Sequence, residues 1–153
     1  MVESTPVSGI QPTQEERTLA ILAHLLQIVA WWIAPLVIFI IKRNSKFVSF
    51  HALQALLLQC VYVFLMCVGV VLWFGTFFIA MASSPATRNG HPPPELFILM
   101  PLFWLGWISA WIAMIGIAVV YGVRAGRGEW ATYPFLGQLA LKILKLGSGG
   151  VPL

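Results

Sequence analysis

The sequence predicts an all-α, polytopic membrane helix bundle with three main spans and a short C-terminal interfacial helix. Two observations carry that prediction. Of 153 residues, 59% are hydrophobic and 9% charged, against about a quarter charged in soluble domains. The apolar residues also form three runs of at least about the 20 residues a helix needs to cross the hydrocarbon.

Residues 1–12 read as a flexible polar tail and 147–153 as a second one, leaving 13–146 as a single membrane-embedded helical domain. No signal peptide is expected, since no basic region precedes the first apolar stretch. Thr13-Gln14-Glu15-Glu16 forms a capping box, with acids at the positive end of the dipole, so a helix starts there.

The first run, Leu19 to Ile41, contains Pro35, which removes a backbone donor and predicts a kink. The second, Phe47 to about Ala82, exceeds one crossing, so it tilts or lays its first turns in the interface. Cys60 and Cys67 sit about 10 Å apart along that helix and read as buried, apolar-like thiols. A loop with three consecutive prolines spans Pro85 to Pro94.

The third run, Leu96 to Val123, has a small face (Gly106, Ser109, Ala113, Gly116) expected to pack on the other helices. Its other face carries Trp104, Trp107, Trp111 and Met114. The last segment, Phe135 to Leu146, is too short to span. Its apolar face (Leu136, Leu139, Ala140, Ile143, Leu144) suits a helix lying in the interface, with Gly147 as its stop.

With three spans, Lys42, Arg43, Lys46, Arg124, Arg127, Lys142 and Lys145 share one side, and Arg17 and Arg88 the other. Basic loops stay cytoplasmic. The expectation is a multi-pass protein of the bacterial inner membrane with its N-terminus outside and its C-terminus inside. If Trp31 to Pro35 instead bends the chain back, the first segment becomes a re-entrant hairpin and the N-terminus moves inside.

No catalytic motif appears, Asp is absent, and all five glutamates lie in tails, loops or helix ends. No enzyme activity, cofactor, metal or nucleic-acid partner is expected. The polar features inside the spans are two His-x-x-Gln pairs, His24/Gln27 and His51/Gln54, with Gln59 further along. Each pair occupies one helical face. The pairs suit either interhelical hydrogen bonds or a polar path for a substrate or ion. On straight antiparallel spans His24 and His51 lie at different depths, against a shared metal.

Glu16-Arg-Thr-Leu-Ala-Ile-Leu-Ala-His24, Ala34-Pro35-Leu36, Phe47-Val-Ser-Phe-His51-Ala-Leu-Gln54-Ala55 and Gly126-Arg-Gly128-Glu-Trp-Ala-Thr-Tyr133-Pro134 together resemble the Tic-twenty-like family. These are small multi-pass proteins related to a subunit of the chloroplast inner-envelope import translocon. The resemblance implies an accessory or structural component of a membrane assembly, possible protein transport, and partner subunits or self-association. It also directs attention to Gly128, Tyr133 and Pro134. The alternative is a small transporter or channel subunit with a His/Gln-lined path.

Overall fold

A computed structural model describes residues 11–146. The expected tail residues 1–10 and 147–153, with the Gly147 stop, lie outside the described residues. Every regular element among them is an α-helix: α1 (Gln14–Ala30), α2 (Ile33–Ile41), α3 (Lys46–Ser83), α4 (Pro85–Arg88), α5 (Leu96–Gly126) and α6 (Leu136–Ile143). The all-α class stands. Among the described residues two helices, α3 and α5, are long and apolar enough to cross a membrane, where three runs were expected to.

The first apolar run forms no single helix of that length, because it breaks into α1 and α2. Thr13 caps α1 as expected: its hydroxyl accepts from the Glu16 N–H, and the Glu16 carboxylate accepts from the Thr13 N–H. The helix ends at Trp31, whose φ of 53° no α-helix tolerates. Pro35 does not kink a continuous helix. It sits in the first turn of α2, where its missing N–H would have had no helical partner. The chain then returns. Lys42 Nζ reaches Glu15 at 2.6 Å, and the Ser45 hydroxyl donates to Glu16 at 2.6 Å. α1 and α2 thus form a helical hairpin, closed where it began. The Ser45 hydroxyl, followed by the Thr13 N–H, holds the Glu16 carboxyl below the usual carboxylate range.

The chain divides into two compact units, Met1–Cys60 with Gly116–Leu153, and Val61–Ile115. In the first, the start of α3 is enclosed: every residue from Phe47 to Ala55 is buried. That explains its excess length. At 1.5 Å per residue its 38 residues run about 57 Å, and the first turns serve as core. Phe50 and Leu53 pack with Ala140, Leu141 and Leu146, against Phe39, Leu57, Trp130 and Leu144. A second cluster joins Ala20, Phe47 and Ala125.

The packed face of α5 is not the Gly106–Gly116 stripe, around which a Cβ at either glycine would meet nothing. The buried track is Met114, Ala118, Gly122 and Ala125. Gly122 and Gly126 lie against His24, Leu25 and Ile21 of α1. Close approach by small residues operates here, on a different helical track from the expected one.

In the second unit, Trp73 packs on Phe77 and Phe103 at centroid distances of 5.6 and 5.1 Å. Pro85 opens the one-turn α4, capped by Ser84, inside the stretch expected to be loop throughout. Cys60 and Cys67 are exposed rather than buried. They occupy the outward surface of α3, where a thiol behaves as a small apolar group facing whatever surrounds the helix.

Candidate functional site

A polar node lies inside the first unit. His24 and Gln27 come from α1, His51, Gln54 and Gln59 from α3, and all five are 0–2% exposed. The third wall is the segment between α5 and α6. It leaves α5 through Gly128 at φ +80°, where a Cβ would also meet the Arg17 side chain at 3.1 Å. Only glycine takes that conformation freely. Trp130 then inserts between Phe47 and Phe50, with centroids 5.2 and 5.4 Å away. Tyr133 packs edge-on against Tyr121 at 4.3 Å. Pro134 is exposed and turns the chain into α6.

Gln54 clamps this segment. Its Nε2 donates to the Ala131 carbonyl at 3.1 Å, and its Oε1 accepts from the Tyr133 N–H at 2.6 Å. One side chain thus satisfies two buried backbone groups, as a neighbouring strand would. Gln59 serves a different end. Its Nε2 donates to the Gln27 carbonyl at 2.8 Å, in the last turn of α1, where carbonyls lack helical partners.

The histidines form a directional chain. His51 Nε2 lies 3.1 Å from the Glu129 carbonyl. A carbonyl only accepts, so His51 donates from Nε2 and, as a neutral ring, accepts at Nδ1. His24 Nε2 lies 3.1 Å from that Nδ1 and donates to it. His24 Nδ1 is then an acceptor, and the Tyr133 hydroxyl donates to it at 2.8 Å. One set of proton positions satisfies all three bonds with both rings neutral. A second proton on His51, at Nδ1, would set donor against donor unless His24 changed tautomer and the Tyr133 oxygen became an acceptor. Burial holds the Tyr133 phenol above its ordinary range, so it stays a donor; the neighbouring Gln27 carboxamide opposes this without reaching hydrogen-bond geometry. Among the described residues, neither polar atom of the Gln27 carboxamide has a partner.

The expectation that His24 and His51 lie at different depths is overturned, because it assumed a straight first span. The hairpin returns the chain so that the rings meet, centroids 5.3 Å apart. Their remaining nitrogens are occupied by Tyr133 and Glu129. Among the described residues, no group of three or more His, Cys, Asp or Glu side chains is placed to hold a metal ion.

His24, His51, Gln54, Gln59, Gly128 and Tyr133 therefore converge, with Gln27 beside them. Pro35 belongs to the start of α2 and Pro134 to the surface turn, outside the hydrogen-bond network. Sequence reasoning missed Trp130 and the carbonyls of Glu129 and Ala131. An aromatic in a polar segment hinted at the first; no side-chain pattern encodes the other two.

The geometry defines an all-helical protein with two membrane-length helices and a buried, side-chain-to-backbone polar node. The model of the magnetosome magnetite crystal formation protein family (MamF/MmsF) matches residues 15–140, and the chain belongs to that family. No curated protein and no solved structure matches it. The family match corrects the resemblance to Tic-twenty-like proteins, and the expectation of protein transport falls with it. The segments that suggested that resemblance, Phe47 to Ala55 and Gly126 to Pro134, supply most of the node. Here they hold one chain's own backbone, a packing role that carries no signature of translocation.

Proposed function

We propose that this chain is a small integral protein of the magnetosome membrane that acts in magnetite crystal formation as a non-enzymatic component. The observation that carries the reading is the family match, which spans α1 from Glu15 onward, both His-x-x-Gln pairs and the 127–135 segment. The node supports a structural role for the pairs. Both nitrogens of each imidazole and both ends of the Gln54 carboxamide are engaged within the protein.

The proposed topology has two crossings, α3 and α5, with the α1–α2 hairpin entering and leaving on one side. Arg17 then joins the seven basic residues first grouped together, and Arg88, past the far end of α3, stands alone opposite. Eight against one supports a cytoplasmic placement of both termini, in place of an N-terminus outside. Partners within the membrane, including a second copy, belong to the same proposal.

Deletion in a magnetite-forming host, with fractionation of a tagged chain, tests the function. The chain should fractionate with magnetosome membranes, and its loss should shift the crystal size distribution. Crystals of unchanged size and shape would refute it. A reporter at each terminus tests the topology, and opposite locations would sink it.

A second reading, a transport subunit with a polar path, is favoured by one observation: the two atoms of the buried Gln27 carboxamide that have no partner among the described residues. Solute flux in vesicles that disappears on Gln27→Leu would establish it.

A further inference from the structure

α6 and the residue before it present an apolar stripe that the protein leaves uncovered. Leu139 and Ile143, four residues apart, stack on one face of α6, and Phe135 stands just before its first turn. Phe135, Leu139 and Ile143 are 90%, 44% and 52% exposed. The opposite face is seated: Gly137, Ala140 and Leu141 are buried against the start of α3. The expected single apolar face is thus divided, with Leu139 and Ile143 turned outward.

Phe135 has a φ of 60°, a strained conformation that a non-glycine residue keeps only where its surroundings impose it. The surroundings do. Gln54 holds the Tyr133 N–H two residues earlier, and the Gly137 N–H bonds the Tyr133 carbonyl two residues later. Phe135, the most exposed large hydrophobic side chain among the described residues, is therefore held outward.

Lys142 and Lys145 are exposed beside the stripe. Neither has a carboxylate within salt-bridge distance among the described residues, whereas Lys42, Arg124 and Arg127 do. Among the described residues, the acids of the same unit are committed: Glu15 to Lys42, Glu16 to Ser45, and Glu129 to Arg124 and Arg127.

We infer that this edge is a binding surface for acidic phospholipid, with Phe135, Leu139 and Ile143 among the upper acyl chains and Lys142 and Lys145 on the headgroup phosphates. A short helix with apolar residues on one side and lysines flanking them suits the boundary between headgroups and acyl chains. The bilayer is the occupant because two helices of the same chain are long and apolar enough to cross it. The inference rests on the two-crossing topology proposed above. It adds a lipid preference that the topology does not require.

The test uses the full-length chain in mild detergent. It is titrated with phosphatidylglycerol, or with phosphatidylcholine of the same acyl chains, and bound lipids are counted by native mass spectrometry. With two lysines on the headgroups and their attraction reduced by screening, the acidic lipid should bind on the order of tenfold more tightly. Lys142→Gln with Lys145→Gln should abolish that preference. The double arginine variant should keep it, and Arg88→Gln should leave it intact. Equal binding of the two lipids, or a preference that survives the double glutamine variant, overturns the inference. So does a dimer that dissociates on Leu139→Ser, because a second copy would then cover the stripe. Reconstituted protein that resists carbonate extraction yet shows no lipid preference refutes this inference and leaves the topology standing. Protein that extracts refutes both.

Discussion

Gln54→Leu removes one side chain of similar volume and leaves two backbone groups without partners. Ala131 and Tyr133 are 8% and 2% exposed, so neither the Ala131 carbonyl nor the Tyr133 N–H can turn to water while the segment stays docked. An unsatisfied buried group costs about 1–3 kcal/mol, giving roughly 2–6 kcal/mol for the pair by simple addition. Side-chain hydrogen bonds between membrane helices average only about 0.6 kcal/mol, because the disrupted state finds other partners. That smaller figure is the wrong guide here, since the orphaned groups belong to backbone fixed by Trp130 on one side and α6 on the other.

The cost also has an upper limit. Once it exceeds what docking of residues 129–135 contributes, the segment lifts off and water satisfies both groups. Local opening is therefore the expected response, with α3 and α5 intact. Hydrogen exchange at the Tyr133 amide reads it directly. A loss of about 2 kcal/mol in opening free energy accelerates exchange on the order of thirtyfold. Gln59→Leu is the control. It orphans the Gln27 carbonyl at the end of α1 and should leave Tyr133 exchange unchanged. If Gln54→Leu alters Tyr133 exchange by less than about twofold, or if Gln59→Leu alters it equally, the clamp is not what holds the segment.

Three further outcomes follow from the same contacts. Nitrogen NMR of the imidazoles at neutral pH should find both His24 and His51 neutral and protonated at Nε2; an Nδ1–H form of either ring contradicts the directional chain. Gly137→Ala should destabilise by about 1–3 kcal/mol in thermal unfolding, because its Cβ would lie 2.6 Å from Thr132 Cβ and 2.9 Å from both Gln54 Oε1 and Thr132 Cα. Gly126→Ala meets only the movable end of Ile21 and should be milder, so equal costs would contradict the packing described. The Glu16 carboxyl has its folded pKa lowered by Ser45 and then Thr13. Its stabilising contribution is therefore present above the unfolded carboxylate pKa of about 4.3 and fades as pH falls through it toward the folded value. Glu16→Gln should flatten the stability profile in that acidic window, and an unchanged profile there refutes the assignment.

Local features of the sequence determined a good deal by themselves. The Thr13–Glu16 box starts a helix wherever it occurs, because its partners lie three residues apart on one chain. The apolar length of α3 and α5 follows from composition along a single helix. So does the shortness of the last segment, and the all-α class with them. Two decisions belonged to tertiary structure. The reversal at Trp31 falls on two tryptophans with no glycine or asparagine to announce a positive φ, so Pro35, the visible signal, suggested a kink instead. A left-handed tryptophan persists only when surrounding contacts impose it, and here the helices are tied through Lys42–Glu15 and Ser45–Glu16. The node was the second. Gln54 and His51 find partners 77 to 79 residues away, and most of those partners are backbone groups, which every residue possesses and no motif distinguishes. The sequence marked which side chains were polar in an apolar setting; only the folded hairpin decided that they would meet, and on what.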